Sequence, residues 1–416
     1  MNERFRHIKT PALMLAALGA TALLVKCADL ALPLLLSIPV YTPALSSMGS
    51  PNMEFHYISS DFNCVVHTNS LGLRNPEISL AHKDKFRIAI IGSSYTFGWG
   101  VNDDECFVRI LERNLSAKGI QVEIVNLGRN GGSPCQYALL AEEVFPLLKP
   151  DLAIVAVGQG CDVEWSGPLS TREKIQHRLW TFCPNLYSLL NGRNTPNSVA
   201  SGIPAPSVPP PPPTEEQIAA QKKGVGEIAK KTYEQFNPEQ RSRFDALEEK
   251  VRTLYFDGLL NVGVLMLSTG TPDLYTHAFD LDSEHNAGKI SYLNEWLCAI
   301  SKAASQEGAP TLVVSVPFGP FVNEHALRNY QRIGFQAVDG MLTSPAPDKA
   351  IEKAAGSLPF LSVTDALRRQ SANPRLFFEL DLHLAAEGHA LFAKEIEPFV
   401  EERVRACMNP VKNGTP

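Results

Sequence analysis

Apolar positions along the chain change period several times, and each change marks an element. The run Phe86-Arg-Ile-Ala-Ile-Ile91 is short and β-branched, and it stops at Gly92 before small and hydroxylated residues. Such a run reads as a buried strand ending in a turn. The pattern recurs at 121–126, 152–157 and 311–316, with a shorter candidate at 360–363. Between the first two runs, Glu105 to Leu115 places Phe107, Ile110, Leu111 and Leu115 at helical spacing. Tyr137 to Leu148 does the same with Leu139, Leu140, Val144 and Leu147, and 288–307 sets Ile290, Leu293, Leu297, Ile300 and Ala304 on one face. Apolar strands alternating with amphipathic helices predict an α/β protein whose parallel sheet is covered on both sides. Ser94 then stands at the carboxyl end of the first strand, where open α/β sheets keep their ligand sites.

Two stretches break the rhythm. Residues 41–84 are rich in Pro, Ser, Asn and His and read as an irregular, extended lead-in. Residues 164–255 contain Pro204, Pro206 and the tract Pro209 to Pro213, which is stiff and extended by composition. Thr214-Glu-Glu-Gln217 then opens a charged helix with a capping box, and Ser242 to Leu254 predicts another. The apolar run Leu259–Leu267 fills core or lines the route to the site. The chain divides into an N-terminal segment 1–40, a lead-in 41–84, a first half 85–163, an insertion 164–255 and a second half 256–408.

The N-terminal segment has its own logic. Arg4, Arg6, His7 and Lys9 precede an apolar stretch from Pro11 to Val40, interrupted by Lys26 and Asp29. About 20 apolar residues cross a bilayer core. The basic leader would stay in the cytoplasm and put the rest of the chain outside, so an exported, membrane-anchored protein is expected. A cleaved signal peptide is the rival, with a small-residue site at Ala44-Leu45-Ser46. Lys26 spoils the lipoprotein-like sequence before Cys27.

Composition narrows the rest. The chain has 416 residues, 44% of them hydrophobic, with a net charge of -6, which argues against a nucleic-acid partner. Its eight cysteines show no metal spacing, and one falls in the apolar leader, so neither a disulfide framework nor a cysteine metal site is expected. His56, His67 and His82 lie in irregular chain without ligand spacing; no metal and no cofactor are expected.

The chemistry rests on two places. In Asp381-Leu-His383 an aspartate two residues before a histidine can turn its carboxylate to the imidazole if the backbone is a loop. That contact fixes the ring's tautomer and leaves its other nitrogen free to deprotonate a hydroxyl. Alternatively, Asp381 caps the following helix and His383 packs at its start. His389, after Gly388, reads as a helix residue packing on the sheet, and Trp99 as a border of the site.

Taken with Ser94, these residues resemble the SGNH, or GDSL, hydrolase superfamily. Gly92-Ser93-Ser94-Tyr95-Thr96-Phe97-Gly98 is similar to its first motif, Asn126-Leu-Gly128-Arg-Asn-Gly131 to its second, Gly158-Gln-Gly160-Cys161-Asp162 loosely to its third and Asp381-Leu-His383 to its last. Asn69-Ser-Leu-Gly-Leu-Arg74 resembles a segment found before the first motif in membrane-anchored members. The resemblance implies a flavodoxin-like three-layer sandwich and acyl transfer through a serine ester. It implies Ser94 as nucleophile, His383 as general base and Asp381 as orienting partner. The backbone N–H groups of Ser94 and Gly131 would donate to the oxyanion. Two positions depart from the family pattern. Ser93 replaces an aspartate beside the nucleophile, and Cys161 occupies the place of the asparagine that supplies the third oxyanion donor. A thiol is a weak donor, so Gln159 or Asn130 would have to provide the amide. The implied function is an esterase acting on an acyl-ester substrate of a cell-envelope glycan or lipid. The alternatives are an O-acyltransferase of the same fold and a non-catalytic binding protein.

Overall fold

The computed structural model describes residues 4–36, 49–190 and 214–409. Both the Ala44-Leu45-Ser46 site and the proline tract lie outside these residues. In chain order the first elements are helix α1 (Arg4–Leu36), strands β1 (Glu54–Ile58), β2 (Asn63–His67) and β3 (Phe86–Gly92), and the short helix α2 (Ser94–Phe97). Then come α3 (Phe107–Ala117), β4 (Val122–Gly128), α4 (Pro134–Leu148) and β5 (Leu152–Gly158). A long connection follows, with α5 (Thr171–Phe182), α6 (Pro184–Leu190), α7 (Glu215–Glu234), α8 (Pro238–Asp245), α9 (Glu249–Phe256) and α10 (Val262–Gly270). The chain ends with α11 (Glu284–Gln306), β6 (Thr311–Val316), α12 (Glu324–Arg332), α13 (Ala346–Ala355), β7 (Phe360–Ser362), α14 (Thr364–Arg369) and α15 (Ala386–Met408).

Five strands form one parallel sheet in the order β4-β3-β5-β6-β7. Counted within the sheet, this is the flavodoxin-like order 2-1-3-4-5, whose switch point falls between the first and third strands. Every residue of β5 and β6 is buried, as a sheet covered on both faces requires. Successive β3 side chains serve opposite layers. Ile88 and Ile90 join Phe107, Leu111 and Phe392 from α3 and α15, while Ala89 and Ile91 join Leu140, Val144 and Leu293 from α4 and α11. The protein is thus a three-layer α/β sandwich, as its hydrophobic pattern predicts.

Two regions differ from the sequence reading. The lead-in is not wholly irregular, because β1 and β2 pair antiparallel from Glu54↔His67 to Ile58↔Asn63. Their strands are half polar and only partly buried, so the apolar alternation that reveals a strand is weak there. The single helix expected from Ser242 to Leu254 is two, α8 and α9, separated at 246–248. The capping box at Thr214 is formed, with the Gln217 N–H donating to Thr214 Oγ1 at 3.2 Å and the Thr214 N–H to Gln217 Oε1 at 2.9 Å. All eight cysteines are free.

Among the described residues, one helix segment, Leu13–Leu35 in α1, is long and apolar enough to cross a membrane. The two charges that interrupt it are partnered. Lys26 Nζ donates to the Phe182 carbonyl at 2.7 Å, and fully buried Asp29 accepts from the Leu186 N–H at 2.8 Å.

Candidate active site

The end of β3 is shaped by its neighbour. A Cβ on Gly128, at the end of β4, would lie 2.0 Å from the Phe97 nitrogen, so α2 packs directly on that glycine's backbone. Ser94 begins α2, and its N–H is among the first-turn donors that a helix leaves without an intrahelical acceptor. Behind the turn, buried Arg74 donates to the carbonyls of Phe97, Gly98 and Val101 at 2.5 to 2.8 Å and to Asp103 at 2.7 Å. A guanidinium has enough donors to fix several carbonyls at once. The lead-in segment that carries Arg74 therefore braces the loop under Ser94.

The second half of the site comes from 377–384. Phe377 and Leu384 form an isolated antiparallel bridge, and the Phe378 N–H donates to the His383 carbonyl at 2.9 Å. Within this bend Leu382 has φ 69°, a left-handed conformation that costs a non-glycine residue energy. That turn brings Asp381 and His383 to one side. His383 Nδ1 lies 2.5 Å from Asp381 Oδ1, and His383 Nε2 lies 2.8 Å from Ser94 Oγ. The structure thus brings Ser94, His383 and Asp381 into one hydrogen-bonded chain, and Asp381 does not cap α15.

Three supports of this chain escaped the sequence reading. Trp99 Nε1 donates to Asp381 Oδ2 at 3.0 Å, so Trp99 holds the carboxylate rather than only bordering the site. Asp61 Oδ2 accepts from the N–H groups of Leu380 and Asp381 at 2.6 and 2.8 Å. Burial raises the Asp61 carboxyl above its ordinary range, against these two hydrogen bonds. Tyr95, buried beside Ser94, sets its ring 4.7 Å from the His383 ring. No local spacing announces Asp61, which reaches its partners from more than 300 residues away.

Across the opening stand Gly131, Asn130 and Cys161. Gly131 has φ 65°, which favours glycine, and a Cβ there would meet nothing within 4 Å. It lines a cavity of about 290 Å³ together with Ser94, Asn130, Cys161 and His383. Cys161 is held in the wall with its Sγ 3.9 Å from Asp162 Oδ1, and burial followed by the Asp162 charge pushes its thiol well above the usual range. The group offered at this position is therefore a neutral thiol. Gln159 cannot replace it, because its Nε2 donates to Asp348 and Thr364 at 2.6 and 2.7 Å, and its Oε1 accepts from the Phe318 N–H. Asn130 is exposed on the cavity lining and is the amide near Gly131. The rest of the lining is largely apolar: Val264 and Leu267 of α10, with Trp165, Tyr275, Phe318 and Phe335.

Neighbouring carboxylates and histidines fall into other networks. Asp162 is buried and accepts from the Gly158 N–H at 2.6 Å and from the Tyr137 hydroxyl at 2.9 Å, yet burial pushes it up to about 7. His389 is buried in α15 and accepts from the Phe107 N–H at 3.3 Å; burial lowers it to about 3, so it stays neutral. His56 and His67 pair with Glu54, and His67 also with Asp103. Among the described residues, one set of side chains could hold a cation although no spacing foretold it: Glu164, His277 and His285, with ligand atoms within 4.8 Å of one another. The Lys289 ammonium, 4.0 Å from the same Glu164 carboxylate, already supplies positive charge there.

No family model matches the chain, and no curated protein matches it. Similar solved structures include a lipase/acylhydrolase from Enterococcus faecalis, at 11% identity and a TM-score of 0.35, covering 76% of this chain and 96% of that one. A GDSL-like lipase from Bacteroides thetaiotaomicron has 11% identity and a TM-score of 0.31, covering 78% of this chain and 93% of that one. An acetyl xylan esterase has 11% identity and a TM-score of 0.34, covering 76% and 99%. Likenesses of this size carry no argument about the chemistry, which rests on the residues themselves. By its strand order the chain has a flavodoxin-like three-layer fold, and the loops that bear Ser94, Gly131, Cys161 and His383 meet at one cavity.

Proposed function

We propose that the protein is a serine esterase of the SGNH type, with Ser94 as nucleophile, His383 as general base and Asp381 as its orienting partner. The observation that carries this reading is the chain Ser94 Oγ to His383 Nε2 to Asp381, opening onto an apolar cavity. Ser94 Oγ attacks the ester carbonyl carbon while its proton passes to His383 Nε2. The carbonyl oxygen takes up the charge between the Ser94 and Gly131 N–H groups. Collapse breaks the bond to the alcohol, which leaves with the proton from His383, and the acyl group remains on Ser94. Water, deprotonated by the same imidazole, then releases the acid.

The cavity supports an acyl rather than a sugar occupant. At about 290 Å³ it is roughly twice the size of an apolar cavity that accepts benzene, which suits a short or medium acyl chain. The alcohol portion would face the exposed side at Asn130, and a cell-envelope glycan or lipid fits an enzyme anchored through α1 with its body outside the cytoplasm. An acyltransferase would use the same first half-reaction and pass the acyl group to a hydroxyl instead of water.

A fluorophosphonate probe tests the reading without knowledge of the substrate. Ser94 should carry the label, found by peptide mass mapping, and His383→Ala should abolish labelling. Labelling of wild type at another serine, or none at all, sinks the assignment. Release of acid from p-nitrophenyl butyrate, unaffected by added polyols, separates hydrolysis from transfer.

A further inference from the structure

We propose that α5 and α6 lie in the bilayer interface beside α1, so that the protein meets the membrane through three helices. The inference rests on reading α1 as a membrane helix.

The apolar surface of α1 is open over most of its length: Leu18, Leu24, Leu30 and Leu34 are each more than 60% exposed. The body docks on α1 at Lys26 and Asp29, with exposed leucines on both sides of that point. The contact therefore falls inside the apolar span rather than beyond its end. Its chemistry suits that depth. The buried Asp29 carboxylate meets the first-turn N–H of Leu186 at the positive end of α6, and the Lys26 ammonium meets the Phe182 carbonyl at the negative end of α5. An ionisable pair in hydrocarbon requires such partners.

α5 and α6 also present apolar side chains outward. Ile175, Leu179 and Phe182 are 52%, 46% and 41% exposed and are spaced four and three residues apart, which puts them on one helix face. Leu190, 75% exposed, continues the surface from α6. A contiguous exposed apolar patch marks an interaction site. Its continuity with α1 identifies the occupant as lipid, and the exposed Arg172, Lys174 and Arg178 of α5 suit anionic headgroups. Seated in this way, the helix pair ties the body to the membrane surface at a second point.

The test uses full-length protein in phosphatidylcholine/phosphatidylglycerol vesicles containing brominated phosphatidylcholine, which quenches nearby tryptophan. Trp180 lies on α5, whereas Trp99 and Trp165 line the cavity and Trp296 lies on α11. Bromolipid quenching is expected to fall at least twofold in Trp180→Phe. It should also fall in Leu179→Asp, an exposed site whose change leaves hydrolysis of a soluble ester as in wild type. Protein that floats with the vesicles but shows equal quenching in wild type and both variants overturns the proposal and spares the anchor. Protein that does not float with the vesicles overturns both.

Discussion

On the side of the cavity formed by the loops after β3 and before α15, each polar group leans on another. Ser94 meets His383, His383 meets Asp381, Asp381 is held by Trp99, and Asp61 pins the backbone beneath them. On the opposite side, after β4 and β5, Gly131 lines the cavity beside a neutral thiol, and the buried Gln159 amide is committed elsewhere. The two sides would serve different halves of one reaction. One moves the proton; the other must stabilise the charge that the proton's departure creates. In water-excluded sites the second contribution is usually the larger, and a single missing donor costs about 10² to 10³ in rate. A chain so arranged is expected to form its acyl-enzyme with a well-poised base and a weak oxyanion hole. Its turnover should be slow for reasons that lie at Cys161 and not at His383.

The strongest test of the proton-moving side is Asp381→Asn. The amide can still accept from Trp99, but it favours the wrong imidazole tautomer, and a loss of roughly 10⁴ in kcat is expected with little change in KM. Steady-state kinetics on p-nitrophenyl butyrate measure it; a loss below tenfold would show that Asp381 does not orient the base.

The charge-stabilising side predicts a gain. Cys161→Asn places an amide where the thiol stands, and kcat should rise on the order of 10-fold, up to about 10² if the amide points at the oxyanion. Unchanged or lower turnover in a correctly folded variant would mean that Asn130 or the backbone already completes the hole. Cys161→Ala gives the complementary reading: a small effect is expected, because the thiol donates weakly.

Asp61 gives a smaller, more diagnostic effect. It touches no substrate in the proposed mechanism and acts by holding the 380–383 backbone, so Asp61→Ala should lower kcat about tenfold and leave KM near wild type, since small misplacements of a base are costly. Asp61→Asn keeps an acceptor for the Leu380 and Asp381 N–H groups and should recover most of the loss. Equal activity of the two variants would show that the charge, and not the hydrogen bonds, matters.

What could be read before the structure follows the range of the interactions. Four strands of the sheet, β3 to β6, were legible because each is a largely buried run rich in β-branched residues, whereas β7 is three partly buried residues and showed only as a shorter candidate. Ser94, Asp381 and His383 stood out because each sits beside its own turn: glycines flank Ser94, and a single residue separates Asp381 from His383. The turn that joins the pair, at Leu382, gave no sign, since a leucine with positive φ is imposed by the surrounding bend. Asp61, Trp99 and Arg74 act across distances of 23 to 320 residues, and no periodicity links such partners. Gln159 shows the converse. Its place in the third motif suggested a donor to the cavity, but its amide is drawn to Asp348 and Thr364 of helices α13 and α14, later in the chain.

Asp162 offers the mildest test, because it bears on stability and stands beside the weaker donor. Its carboxyl is buried and accepts from Gly158 and Tyr137, and these bonds only partly offset the loss of water, so the group titrates at about 7 in the folded protein. An unfolded aspartate titrates near 3.9. Between those values the folded state keeps a proton that the unfolded state has lost, so stability falls as pH rises. The contribution is fully present below the unfolded value and is lost as pH rises through about 7. Asp162→Asn removes the titration while leaving an acceptor. Thermal unfolding from pH 4 to pH 8 should therefore show the wild-type midpoint declining relative to that of the variant across this window, with the difference levelling above pH 7. Parallel curves would mean that Asp162 is ionised throughout. The Cys161 thiol would then face a full negative charge at every working pH, and the oxyanion side of the cavity would be weaker still.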